Sequence, residues 1–152
     1  MKKALQVVVC LSLAASAAAC VGFERKSTVT GPSAAGVGAL MGSWSSANLV
    51  VPSPSACADF KWNVTEQTGT TVKGAFSATC AGDLQLSGTA QGTLSGSTIS
   101  WSAEGTGSAP ILPSCAISLS GTAEIGVDSV RVPYSGTTCL GPVSGVEILR
   151  RN

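Results

Sequence analysis

Histidine is absent from this 152-residue chain, tyrosine occurs once, and charged residues make up only 11% of it. Without histidine, a Ser-His or Cys-His nucleophile cannot be activated, and zinc sites that need His are excluded. The cysteines show no Cys-x-x-Cys spacing, and no Walker or dinucleotide motif occurs. The acids Asp59, Glu66, Asp83, Glu104, Glu124, Asp128 and Glu147 are scattered, with nothing to mark two of them as a glycosidase pair. These absences argue against an enzyme and against any cofactor or metal. A basic face is missing too. Beyond residue 19 there are seven Lys/Arg against eight Asp/Glu, a net charge of −1. That disfavours nucleic acid as a partner.

What is present begins with Lys2 and Lys3, followed by an apolar run from Ala4 to Ala19 broken only by Gln6, Ser12 and Ser16. The run is short of the roughly 20 apolar residues of a membrane span. It reads as a signal peptide, residues 1–19, ending in small residues. Ala17-Ala18-Ala19-Cys20 resembles the lipobox of bacterial lipoproteins, departing at Ala17, where Leu is usual. The resemblance implies a diacylglycerol on the Cys20 thiol, cleavage before it, further acylation such as palmitate, and attachment to the cell envelope. Val21 after the cysteine favours the outer membrane on the same resemblance. An ordinary secretory signal cut before Cys20 is the plainer alternative.

Cysteine arithmetic supports lipidation. Beyond the signal lie Cys20, Cys57, Cys80, Cys115 and Cys139. An exported chain meets an oxidising compartment, where four cysteines pair and one is left over. Lipidation of Cys20 accounts for the fifth. Residues 20–41, rich in Ser, Thr, Gly, Pro and Ala after Glu24-Arg25-Lys26, have the composition of a flexible tether.

From Gly42 to the end, 42–152, the pattern has period two and predicts an all-β domain. Phe60, Trp62 and Val64 alternate with Lys61, Asn63 and Thr65, and Val72, Phe76 and Ala78 alternate with Lys73, Ser77 and Thr79. Turn signals divide the chain into eight strands, at 43–51, 58–66, 71–80, 84–92, 97–104, 115–124, 129–138 and 143–150. An eight-stranded antiparallel up-and-down barrel removes the edges that a Lys-poor domain has few other means of protecting. A β-sandwich is the alternative. The inward small residues Gly74, Ala78, Gly88, Gly121 and Gly136 would leave a cavity or fit a taper.

An internal repeat starts at Cys57 and Cys115. Glu66 matches Glu124, Val72 matches Val130, Lys73 matches Arg131, Phe76-Ser77 matches Tyr134-Ser135, and each copy closes on a cysteine, Cys80 or Cys139. Up-and-down order puts all four at one end of the barrel. Hairpins stapled at their bases, Cys57–Cys80 and Cys115–Cys139, are the favoured pairing. Strict alternation places Cys80 and Cys115 inside, with Cys57 and Cys139 outside, which favours Cys80–Cys115 unless a bulge intervenes. The same end carries the Pro-containing connections 52–56 and 105–114, expected as long loops.

Gly42-Ser43-Trp44, with a basic residue ending the last strand, resembles the calycin barrels, such as the lipocalins and avidins. In that superfamily the cation lies across the Trp ring and closes the barrel. The resemblance implies a Trp44–Arg150 closing pair, with Arg150 sharing inward parity with Val146 and Ile148. The function expected from all this is a membrane-anchored envelope lipoprotein carrying a small binding or interaction module. Its partners are membrane lipid through Cys20 and either a small apolar ligand or another envelope protein. An inhibitor or structural protein acting through the loops of the disulfide end is the alternative.

Overall fold

The computed structural model describes residues 39–152. The expected signal segment, Cys20 and nearly all of the 20–41 tether lie outside the described residues. Eight strands form one closed antiparallel barrel in sequence order. They are β1 (Gly42–Ser46), β2 (Cys57–Thr68), β3 (Thr71–Cys80), β4 (Leu84–Ser95), β5 (Thr98–Ala109), β6 (Leu112–Ile125), β7 (Ser129–Thr138) and β8 (Gly141–Arg151). One 3-10 turn, Ala81–Asp83, joins β3 to β4. The up-and-down barrel therefore holds, and the sandwich does not.

Period-two alternation explains the closure. Leu84, Leu86, Ile99 and Leu119 point inward and are 1% exposed or less. Burying a side chain of that size contributes about 1.5–3 kcal/mol. Their outward neighbours are Ser, Thr and Gln, which leave the outside wet. The inward glycines draw the walls together rather than hollowing the interior. Gly88 faces Gly105 across β4 and β5, and a Cβ on Gly88 would lie 2.1 Å from the Glu104 carbonyl oxygen. Only glycine permits so close a backbone approach.

The sequence repeat is structural. It maps to hairpins β2–β3 and β6–β7, which stand on opposite sides of the eight-strand cycle. Each carries a cross-strand ion pair at the same place, Glu66–Lys73 at 3.9 Å and Glu124–Arg131 at 3.8 Å. These pairs are exposed and each contributes at most about 1 kcal/mol.

Three expectations need correction. First, β1 ends at Ser46 rather than at 51. The chain then leaves the sheet as a strap, residues 47–56, that runs between β2 and β8. It is tied there by Asp59 N–H donating to Asn48 O and Ser144 N–H donating to Ser55 O. Second, 105–114 is not a long loop, because β5 continues to Ala109 and β6 starts at Leu112. Pro110 falls in the tight turn between the two strands, where its missing N–H is no handicap. Third, β8 presents Val143, Glu147 and Leu149 inward, while Val146 and Ile148 are 48% and 41% exposed. The parity of β8 is set by its pairing with β7 and β1, not by its most apolar letters.

Candidate functional site in the barrel interior and at its ends

At the end where residues 39–41 lead into β1, Trp44 and Leu40 close the barrel, 6% and 1% exposed. The Trp44 indole N–H donates to Leu40 O at 2.8 Å, and Leu40 N–H donates to the Gln67 side-chain oxygen at 3.0 Å. The cation across the Trp44 ring is Arg151, its guanidinium carbon 4.8 Å from the ring centroid. Arg151 also donates to Ala39 O. Arg150, the expected partner, is on the outer face opposite Ser45 and Ser129. The closing device is as expected; the residue is one position later, because the inward set of β8 is the odd-numbered one.

The opposite end is stapled by Cys57–Cys80 and Cys115–Cys139, the local pairing. The parity objection fails at a bulge. Between Ala58 and Lys61 the register shifts, and Asp59 takes a left-handed φ of 51°. That extra residue turns Cys57 inward, to 0% exposure. Because β1 is short, this stretch of β2 lacks a full neighbour on one side. Tyr134 supplies the missing bonds from β7. Its hydroxyl accepts from Cys57 N–H at 2.7 Å and donates to Cys57 O at 3.0 Å. Gly145 makes room, since a Cβ there would sit 2.5 Å from the Tyr134 hydroxyl oxygen. Burial pushes the Tyr134 phenol above its ordinary 10.0; the bond to Cys57 opposes this and the Glu147 charge adds to it. Cys115–Cys139 ties the foot of β6 to the β7–β8 turn. Two apolar side chains at these turns face solvent, Ile111 at 91% and Leu140 at 52% exposure.

Between the closed ends lies a cavity of about 40 Å³, with walls from every strand except β1. Phe60, Trp62, Phe76, Trp101 and Leu149 are among its lining residues. The indole nitrogens of Trp62 and Trp101 are buried without a hydrogen-bond partner. A ligand pocket for a drug-sized molecule measures about 300–1,000 Å³. A lipid-sized ligand therefore does not fit.

Glu147 is the one buried acid among the described residues, 2% exposed. Its Oε1 accepts from Asn48 Nδ2 of the strap at 3.4 Å, and its Oε2 has no partner. Desolvation raises its pKa above 4.5, with Asn48 and Ser46 acting in the opposite direction. Sequence reading counted it among the scattered acids; only the register of β8 makes it internal. Among the described residues no group of three or more His, Cys, Asp or Glu is placed to hold a metal ion.

The chain matches no protein-family model, no curated protein and no solved structure. The barrel itself is consistent with a calycin-like architecture. The paired cysteines fit an oxidising compartment.

Proposed function

We propose that this chain is an exported envelope lipoprotein, anchored through Cys20, whose barrel is a non-enzymatic binding and display module. The observation that carries the reading is the contrast between a nearly filled interior and a stapled end that offers Ile111 and Leu140 to solvent. Two disulfides hold that end, and loops fixed on a rigid scaffold are where recognition concentrates. The tether enters at the other end, so anchoring turns the stapled end away from the bilayer. The occupant of that end is another envelope protein.

The test has two arms in a diderm bacterium expressing the full chain. Metabolic labelling with palmitate is expected to mark the wild type and not Cys20→Ala, and fractionation to place the labelled protein in the outer membrane. A photo-crosslinking side chain at Ile111 is expected to give one discrete adduct in cells, and the same group at Thr122, on the barrel wall, none. An unlabelled wild type refutes the anchor. Equal adducts from both positions, or none, refute the stapled end as the interaction surface.

A further inference from the structure

We propose that the strap, residues 47–56, is a gate in the barrel wall, held closed while the buried carboxyl of Glu147 is protonated and loosened when that group is ionised. The gate is a property of the barrel alone and does not depend on the envelope reading. β1 spans five residues between neighbours of 12 and 11. Its pairing reaches only to Lys61 on β2 and to Leu149 on β8. Beyond those points residues 57–60 and 141–148 have no β1 partner, and the strap takes the vacant place. Two backbone bonds hold it to these edges, from Asp59 N–H to Asn48 O at 2.8 Å and from Ser144 N–H to Ser55 O at 2.9 Å. The third tie is a side chain. Ser46 faces Leu149, and the same register carries Asn48 to a place opposite Glu147. There Asn48 Nδ2 donates to Glu147 Oε1 at 3.4 Å.

The other oxygen decides what ionisation does. Oε2 is sealed from solvent and has no hydrogen-bond partner among the described residues. A neutral carboxyl tolerates such a place. A carboxylate does not, because one long hydrogen bond fails to offset the water it has lost. Lifting the strap restores that water, so ionisation favours the lifted form. The same burial raises the Glu147 pKa, with Asn48 and Ser46 opposing it. No second charge takes over. From β7 the facing titratable group is Tyr134, whose phenol lies above 10.0 and is neutral where a carboxyl titrates. From β2 Asp59 and Lys61 pair with each other at 3.0 Å, and Cys57 is held in a disulfide. β1 and the strap carry no titratable side chain. Lifted, the strap leaves two strand edges open, the form in which a sheet accepts a further strand.

The experiment is amide hydrogen exchange, read by NMR on the oxidised full chain from about pH 4 to about pH 8, with each rate divided by the intrinsic rate at that pH. The reporters are the Asp59 and Ser144 amides, which bond to the strap, and the control is the β4–β5 ladder across the barrel. Expected is a loss of protection at both reporters as pH rises, levelling off above the midpoint at which the Glu147 carboxyl titrates. The loss is about tenfold for each unit by which the closed-state pKa exceeds the open one, and the ladder is unmoved. The carboxyl 13C shift of Glu147 in the same samples supplies the midpoint. Glu147→Gln fixes the neutral form at nearly the same shape, and both reporters should stay protected at every pH. Where that variant does not fold, the agreement of the two wild-type curves still decides. Reporter protection that ignores pH, levels off away from the Glu147 midpoint, or falls alike in Glu147→Gln overturns the proposal. Ladder protection lost in step with the reporters also overturns it, since the whole barrel would then be opening.

Discussion

Replacing Tyr134 with Phe keeps the ring and removes one oxygen, and that oxygen holds both backbone groups of Cys57. Cys57 is fully buried, so water does not replace the lost partner. A buried donor or acceptor left unmade costs about 1–3 kcal/mol. Two of them, next to a disulfide that keeps the local backbone from relaxing, give an expected loss of about 2–5 kcal/mol. The ring contact with Phe60, at a centroid distance of 4.9 Å, is retained and limits the damage to the hydrogen bonds. For a domain of this size the loss corresponds to roughly 10–20 °C in melting temperature. The assay is guanidinium unfolding of the oxidised protein, wild type against Y134F, followed by tryptophan fluorescence. There is also a pH signature. The folded-state pKa of Tyr134 lies above 10.0, so the stability it contributes is intact below the unfolded value and is lost as pH rises through the folded one. The wild type should weaken in alkali by a step that Y134F lacks. A Y134F loss under about 0.5 kcal/mol, the range of an ordinary surface change, would show that the hydroxyl does not hold β2 in place.

Three further outcomes follow from the geometry. Glu147 has a raised pKa, so the wild type should gain stability as pH falls through its folded value, the gain being complete below about 4.5, whereas E147Q should show a flatter profile in thermal melts taken from pH 7 to 4. The double change C115A/C139A opens a cross-link between residues 24 apart, and chemical denaturation should show a loss of about 3–4 kcal/mol on the chain-entropy account. Arg151→Ala removes the cation over Trp44 and should cost about 0.5–2 kcal/mol in urea unfolding, with Arg150→Ala within about 0.5 kcal/mol of wild type. Equal effects of the two arginines would contradict the register of β8.

Strand number, order and closure were legible because most of each strand alternates and every connection except the β7–β8 turn carries Gly, Pro or Asp. The repeat was legible down to its ion pairs, since Glu66–Lys73 and Glu124–Arg131 occupy matching cross-strand positions. Disulfide pairing was legible from topology but contested by parity. What defeated parity was one residue, Asp59, whose left-handed backbone inserts a bulge that alternation does not reveal. The β8 assignment failed for a related reason. Val146 and Ile148 look like core letters, yet the inward track holds Gly145, which must be empty for Tyr134, and Glu147, which a polar strap accompanies. The Trp62 ring was expected on the apolar face. That the Trp62 and Trp101 nitrogens find no acceptor depends on how the rings lie against the barrel wall, the Trp101 nitrogen beside Gly121 of the neighbouring strand, and no local pattern encodes that.

The cross-links pair the first described cysteine with the second and the third with the fourth, each with its nearest neighbour in sequence among the described cysteines. In any oxidising compartment that receives it N-terminus first, Cys80 arrives while Cys115 is still 35 residues behind. With Cys20 taken out of play by the proposed acylation, oxidation in order of arrival gives the native connectivity. Isomerisation, which takes seconds to hours, is then not on the route to the native state. Neither cross-link spans the β1–β8 seam, so the barrel can be closed, or reopened, with both disulfides intact.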